Sequence, residues 1–178
     1  MADKKKKNRR AYLNDFKKNE AGEYEYQGVL YAFADSEEAR KRAYTKLWLL
    51  LALTAAAVIG SGCVSGAGIL NTFYVIIPYI GEISCLFALT HYHFKLLTKG
   101  DEVREYVYTK THPRMAPAAM LLAFFAIVGF AMSLLYSILS GFADGAVNTV
   151  VYLVLKAVSA ALALIYRNAF SKLEWIKL

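Results

Sequence analysis

Thr72–Leu97 reads TFYVIIPYIGEISCLFALTHYHFKLL, an apolar stretch whose charges are Glu82 near its middle and Lys95 near its end. A membrane-crossing helix needs about 20 predominantly apolar residues, and this stretch is long enough. A charge at the depth of Glu82 costs roughly 2.5–3.5 kcal/mol on insertion scales, so it implies a partner or a purpose. The other charged side chain inside a long apolar segment is Lys156, in TVVYLVLKAVSAALALIY. These two residues are the centre of the reading that follows.

Around that stretch lie three more apolar segments, which places spans at about 48–66, 72–94, 115–139 and 147–166. The composition agrees: 57% of the 178 residues are hydrophobic, above the roughly 45–50% apolar usage of soluble domains. The expected fold class is an all-α integral membrane protein of four transmembrane helices. A cytoplasmic arm and helix start occupy 1–43, the bundle 44–170, and an interfacial tail 171–178.

The net charge of +7 could suggest nucleic acid, but the positions of the charges argue against it. Apart from Lys156, each Lys and Arg falls before residue 47, within 95–114, or from Arg167 onward. The segments 65–71 and 140–146 carry none. Basic residues concentrate in short cytoplasmic loops, so both termini and the central connection are expected inside. The run Lys4–Lys7 with Arg9 and Arg10 then faces anionic lipid head groups rather than nucleic acid. The basic start is followed by about forty mostly polar residues, unlike a cleavable signal peptide. Small size and the lack of a sorting motif make the plasma membrane, and a bacterial inner membrane in particular, the expected setting.

In the arm, GEYEYQGVLYAF alternates charged and aromatic residues and turns at Gln27-Gly28, which reads as a short hairpin. The alternative is an arm that orders only against a partner or the bilayer. Asp35-Ser36-Glu37-Glu38 is a helix start, with a capping side chain followed by carboxylates. The connection TKGDEVREYVYTKTHPR reads as a short cytoplasmic helix. The tail RNAFSKLEWIKL mixes apolar and charged residues in the manner of an interfacial segment.

Small residues recur at helical spacing. Ala52, Ala56 and Gly60 share a stripe, Gly62 and Gly66 form a GxxxG, and Gly129, Ser133 and Ser137 make another stripe. Such residues allow close approach of a neighbouring helix. Pro78 and Gly81 mark a bend, because proline frees the carbonyl of Tyr74.

At ~100° per residue, Pro78, Glu82, Cys85, Leu89 and His93 fall on one face of the second span. Thr149, Tyr152, Lys156, Ser159, Ala163 and Arg167 do the same in the fourth. Glu82 and Lys156 lie about equally far from the outer ends of their spans, so neighbouring helices would bring them level as an ion pair. Tyr152 and Ser159 are the expected additional hydrogen-bond partners. Cys85 and His93 complete the candidate polar site.

His91 and His93 point about 200° apart on a helix and cannot chelate one ion. No phosphate loop, EF-hand, Cys-x-x-Cys or G-x-S-x-G is present. An intramembrane enzyme built on Glu82, Cys85 and His93 lacks a nucleophile beside a base, so the chain reads as neither an enzyme nor a metal or cofactor carrier. Cys63 and Cys85 lie at different depths and are expected as free thiols.

Two functions remain: an interaction, assembly or regulatory subunit with a protein partner or a second copy of itself, or a small transporter or channel subunit using Glu82 and Lys156. The topology has a direct test in a background lacking Cys63 and Cys85. Asn71→Cys and Asp144→Cys should react with an impermeant thiol reagent added outside, whereas Thr98→Cys and Ser171→Cys should stay unlabelled until the membrane is opened.

Overall fold

The computed structural model describes residues 15–20, 22–34, 36–65, 72–98, 102–143 and 145–178. Gly66, the basic run at 4–10, Asn71 and Asp144 therefore lie outside the described residues. Four helices, each long and apolar enough to cross a membrane, make up the body of the chain. They are α1 Glu37–Gly62, α2 Phe73–Leu97, α3 Glu105–Leu139 and α4 Ala146–Ser171.

Local chemistry sets their ends. The Ser36 hydroxyl accepts from the Ala39 amide at 3.4 Å, and Glu37 and Glu38 occupy the first turn of α1. Lys41 and Arg42 reach back to those carboxylates at 2.6 and 3.4 Å. This helix ends at Gly62, short of the expected residue 66, with Cys63 as its C-cap. Gly145, at φ +92°, turns the chain into α4.

The central connection differs from expectation. In place of a separate short helix there is a three-residue strand and then one 35-residue helix running through Pro113 and Pro117. Packing explains the continuity. Val107, Thr111, Met115, Ala119, Leu122, Ala126, Gly129, Ser133 and Ser137 are buried in one unbroken stripe, so the burial of a whole face outweighs the two backbone bonds that proline removes. At 1.5 Å per residue α3 is about 50 Å long. It therefore extends well beyond a hydrocarbon layer of about 30 Å.

The helices alternate in direction around the bundle. α3 packs against both α2 and α4, α4 packs against α1, and α1 and α2 touch only lightly. α2 and α4 are therefore diagonal, not the adjacent pair that the sequence reading assumed. The small-residue stripe of α1 is turned mostly away from the bundle core, with Gly60 half-buried beside Leu155. Ala52 and Ala56 face outward, while Leu47, Leu50, Leu51, Thr54, Ala57, Val58 and Ser61 are buried. Larger aliphatic residues on the opposite side bury more apolar area than an alanine stripe would.

Two small sheets lie at one end, where the sequence reading foresaw a hairpin in the arm but no sheet joining distant segments. β1 (Phe16–Lys18) and β2 (Tyr24–Tyr26) form an antiparallel hairpin. β3 (Leu30–Phe33) is the centre of a second sheet, flanked by β4 (Glu102–Arg104) and β5 (Trp175–Lys177), both antiparallel to it. The expected hairpin about Gln27-Gly28 does not form, because both edges of β3 are taken. β2 pairs with β1 instead, around a turn in which Asn19 Oδ1 accepts from the Glu23 amide at 2.9 Å.

The tail, expected to lie as an interfacial segment, is this third strand. Trp175 packs edge-on against Phe33, with centroids 6.2 Å apart, and lies near Tyr108 and His112. Tyr31 stacks on Tyr108 at 4.1 Å. The sheet thus joins the arm, the central connection and the tail at the bundle end that holds the starts of α1 and α3 and the ends of α2 and α4. Trp175→Ala should lower stability by roughly 2–3 kcal/mol, less than the ~3–5 of a fully buried aromatic. Thermal unfolding in detergent would read this, and a neutral result would mean that the tail does not hold this end together.

Candidate functional site

Glu82 and Lys156 have no solvent-exposed surface. The Lys156 ammonium donates to Glu82 Oε2 across the diagonal of the bundle. Ser159, one turn further along α4, donates to Glu82 Oε1 at 2.7 Å, and its oxygen is also 3.0 Å from the Lys156 carbonyl. A hydroxyl has one proton to give, and the shorter contact to a carboxylate is the stronger of the two.

The ammonium lies 4.4 Å from the centre of the Tyr79 ring and 5.2 Å from that of Tyr152. Away from water, a cation over an aromatic face gains about 2 kcal/mol or more. Tyr152 serves the site through its ring. Its hydroxyl is buried without a hydrogen bond to the pair, so of the two expected additional partners Ser159 alone supplies one.

Two glycines lie close to the crossing. A Cβ on Gly129 of α3 would lie 3.7 Å from the Lys156 chain and 3.8 Å from Pro78, which places this residue between α2 and α4. A Cβ on Gly81 would meet the Phe125 ring at 2.7 Å. Gly81 is therefore required where α2 meets α3, a packing role in addition to the bend inferred from sequence. Ser133 and Ser137 continue the buried polar line toward the C-terminal end of α3. Gly62, although exposed, has the Tyr79 hydroxyl where its side chain would be.

Nearer the sheet end, His93 is fully buried and its Nδ1 lies 2.7 Å from the Tyr166 hydroxyl. Trp48 of α1 packs edge-to-face on the imidazole at 4.4 Å. His91, two residues away, faces outward. This is a second link between α2 and α4, some 15 Å along the helices from the first. The two links are separate, because Leu86, Leu89, Leu122 and Ala163 fill the core around them.

Cys85 is half-buried, Cys63 is exposed, and both are free thiols. Among the described residues no group of three His, Cys, Asp or Glu side chains gathers to hold a metal ion.

Sequence reasoning missed Tyr79, Tyr166 and Trp48. Tyr79 sits three residues before Glu82, close enough in helical angle to have been included. Tyr166 lies 10 residues after Lys156, at the edge of the face, where Arg167 was taken instead. Nothing in the chain order points to Trp48.

Comparison of the chain with protein-family models, with curated proteins and with solved structures gives no match. The class is therefore defined by the molecule itself: a four-helix bundle of membrane-spanning length with a buried polar clamp on its axis.

The glycine geometry has a measurable consequence. Gly81→Ala should cost about 1–3 kcal/mol through overpacking against Phe125. Gly129→Ala, with room for a methyl group, should be neutral or stabilising by up to about 1 kcal/mol. Unfolding of the two purified variants decides this, and the reverse order would contradict the packing.

Proposed function

We propose that this chain is a multi-pass protein of the plasma membrane, with both termini in the cytoplasm, acting as an interaction, assembly or regulatory subunit. Its Glu82–Lys156 pair fixes helix packing, and it carries no catalytic chemistry. The topology is supported by the basic residues at 40–46, 95–114 and 167–177, which cluster at the end where the three-stranded sheet gathers arm, connection and tail. The membrane reading is supported by the surface. Only 28–39% of the most apolar window of each helix is buried within the chain, and residues such as Phe87, 72% exposed, need an apolar surrounding.

The observation that carries the structural role of the pair is its closure. Both charges have zero exposure, and both carboxylate oxygens have protein donors. A transport site needs the group that binds or releases a proton or ion to be reachable from one side at a time. A sealed, mutually satisfied pair suits helix registration instead.

The test is a double-mutant cycle. Glu82→Leu and Lys156→Leu should each lower stability by about 3–5 kcal/mol, because each leaves a buried charge without its partner. The double variant should recover much of that loss, giving a strongly non-additive cycle. It should also keep its cellular role. A stable double variant that has lost that role would instead favour an ion- or proton-coupled transporter. Additive losses would mean that the two residues serve different partners.

A further inference from the structure

The contacts between helices fix which residues share a level along the bundle. Trp48 of α1 meets His93 of α2, and Gly62 meets Tyr79, so Lys46 and Lys95 are level. Tyr166 of α4 meets His93, just as Lys156 meets Glu82, which sets Arg167 level with Phe94. Phe125 of α3 meets Gly81, and Gly129 meets Pro78, which sets Arg114 level with His93. One basic residue from each helix therefore lies within about 4 Å of a common plane.

These side chains stand clear of the bundle core. Lys46, Lys95 and Arg114 are exposed, and Arg167 is half-buried. None of the four is paired with a carboxylate among the described residues. Lys41 and Arg42, a turn or so further out on α1, are each held by a glutamate. Lys110 of α3 is near the plane too but is engaged within the chain. The nearest carboxylates outside the plane on α1 and α3, Glu38 and Glu105, are about 12–14 Å beyond it, away from the apolar body.

The depth of the plane matches a head-group level. At 1.5 Å per residue, Lys95 is about 20 Å from the level of Glu82, and Arg167 about 16 Å from that of Lys156. In the other direction α2 begins at Phe73, about 14 Å from Glu82. The interval from Phe73 to Lys95 is thus about 33 Å, close to the ~30 Å of a hydrocarbon layer. With the clamp near the midplane, Arg114 and Arg167 reach the hydrocarbon edge and Lys46 and Lys95 stand just beyond it, among the head groups. Trp48 and Tyr92, half-buried at this level, are the aromatic types that favour such a boundary.

We propose that this ring binds the head groups of anionic phospholipids, each of the four cations meeting a phosphodiester. The lipid ligand rests on the membrane-spanning reading above, though not on which side the sheet end faces. A zwitterionic lipid brings a cation with its phosphate, and that cation would stand among side chains of its own sign. A lipid of net negative charge carries no such penalty. Arginine takes a phosphate through two parallel N–H bonds, and lysine takes it as a point charge. In both, the apolar stem lies along the helix while the charge stays in the head-group layer.

The test places the full chain in phosphatidylcholine membranes with a trace of spin-labelled lipid, either phosphatidylglycerol or phosphatidylcholine. The spectrum separates lipid held at the protein surface from free lipid and so gives the relative affinity of the two. Each cation should favour the anionic lipid it touches about fivefold. In 1 M salt, where the screening length falls to about 3 Å, most of that preference should disappear. Lys46→Gln, Lys95→Gln, Arg114→Gln and Arg167→Gln should each reduce it, and the fourfold variant should lose most of it. Thermal unfolding in pure phosphatidylcholine should stay the same, since none of the four holds a partner within the chain.

A preference for phosphatidylglycerol that falls with each change and with salt supports the ring. Equal association of the two lipids with the unaltered chain, or a preference untouched in the fourfold variant, overturns the proposal and leaves the spans in place. Absence of protein-held lipid of either kind overturns the membrane-spanning reading, and the proposal with it.

Discussion

Two opposite charges buried at the same level of a four-helix bundle constrain everything around them. Neither Glu82 nor Lys156 can be left alone in an apolar interior, because an unpaired ion there costs several kcal/mol. The helices that carry them are diagonal, so the two side chains must reach across the bundle axis. That span takes the length of a lysine and a glutamate, and α3 packs alongside the crossing point. Gly129 lies there, with Pro78 and the Lys156 chain both near it. Ser159 and the rings of Tyr79 and Tyr152 supply the remaining contacts. A pair between diagonal helices restrains α2 and α4 together, and α3 is packed against both.

The sheet end works by a different physics. Three short strands, far apart in sequence, hold one another through backbone hydrogen bonds, and their inner faces present Tyr31, Phe33 and Trp175 to Tyr108 and His112. No strand of three or four residues is stable alone in water. Each forms here because the bundle brings three chain segments to one place. In this way the bundle organises the arm and the tail, and His93 with Tyr166 ties α2 to α4 just inside that end.

The outer surface shows the inverse of a soluble bundle. Large aliphatic and aromatic side chains face outward on all four helices, while Thr54, Ser61, Ser133, Ser137, Thr149, Ser159 and the charges of Glu82 and Lys156 lie inside. The seam between α1 and α2 is the least packed of the four, and the outward stripe of Ala52 and Ala56 lies on α1. Close approach of another helix would be sterically cheap there.

The presence of four long apolar helices and the buried face of each charged helix were legible in the chain itself. They depend on length, hydropathy and helical period, which are local properties. Glu82 and Lys156 stood out for the same reason, since a charge within an apolar run is visible without any fold. Adjacency was decided only by the tertiary structure. The reading of the second and fourth spans as neighbours failed because periodicity fixes the angle of a residue on its own helix and not which helix it faces. The outward turn of Ala52 and Ala56 followed from competition with the bulkier Leu47, Leu50 and Leu51, which bury more area. The strands at 30–33, 102–104 and 175–177 were equally hidden, because each owes its conformation to partners some 70 or more residues away, a relation that no local pattern encodes.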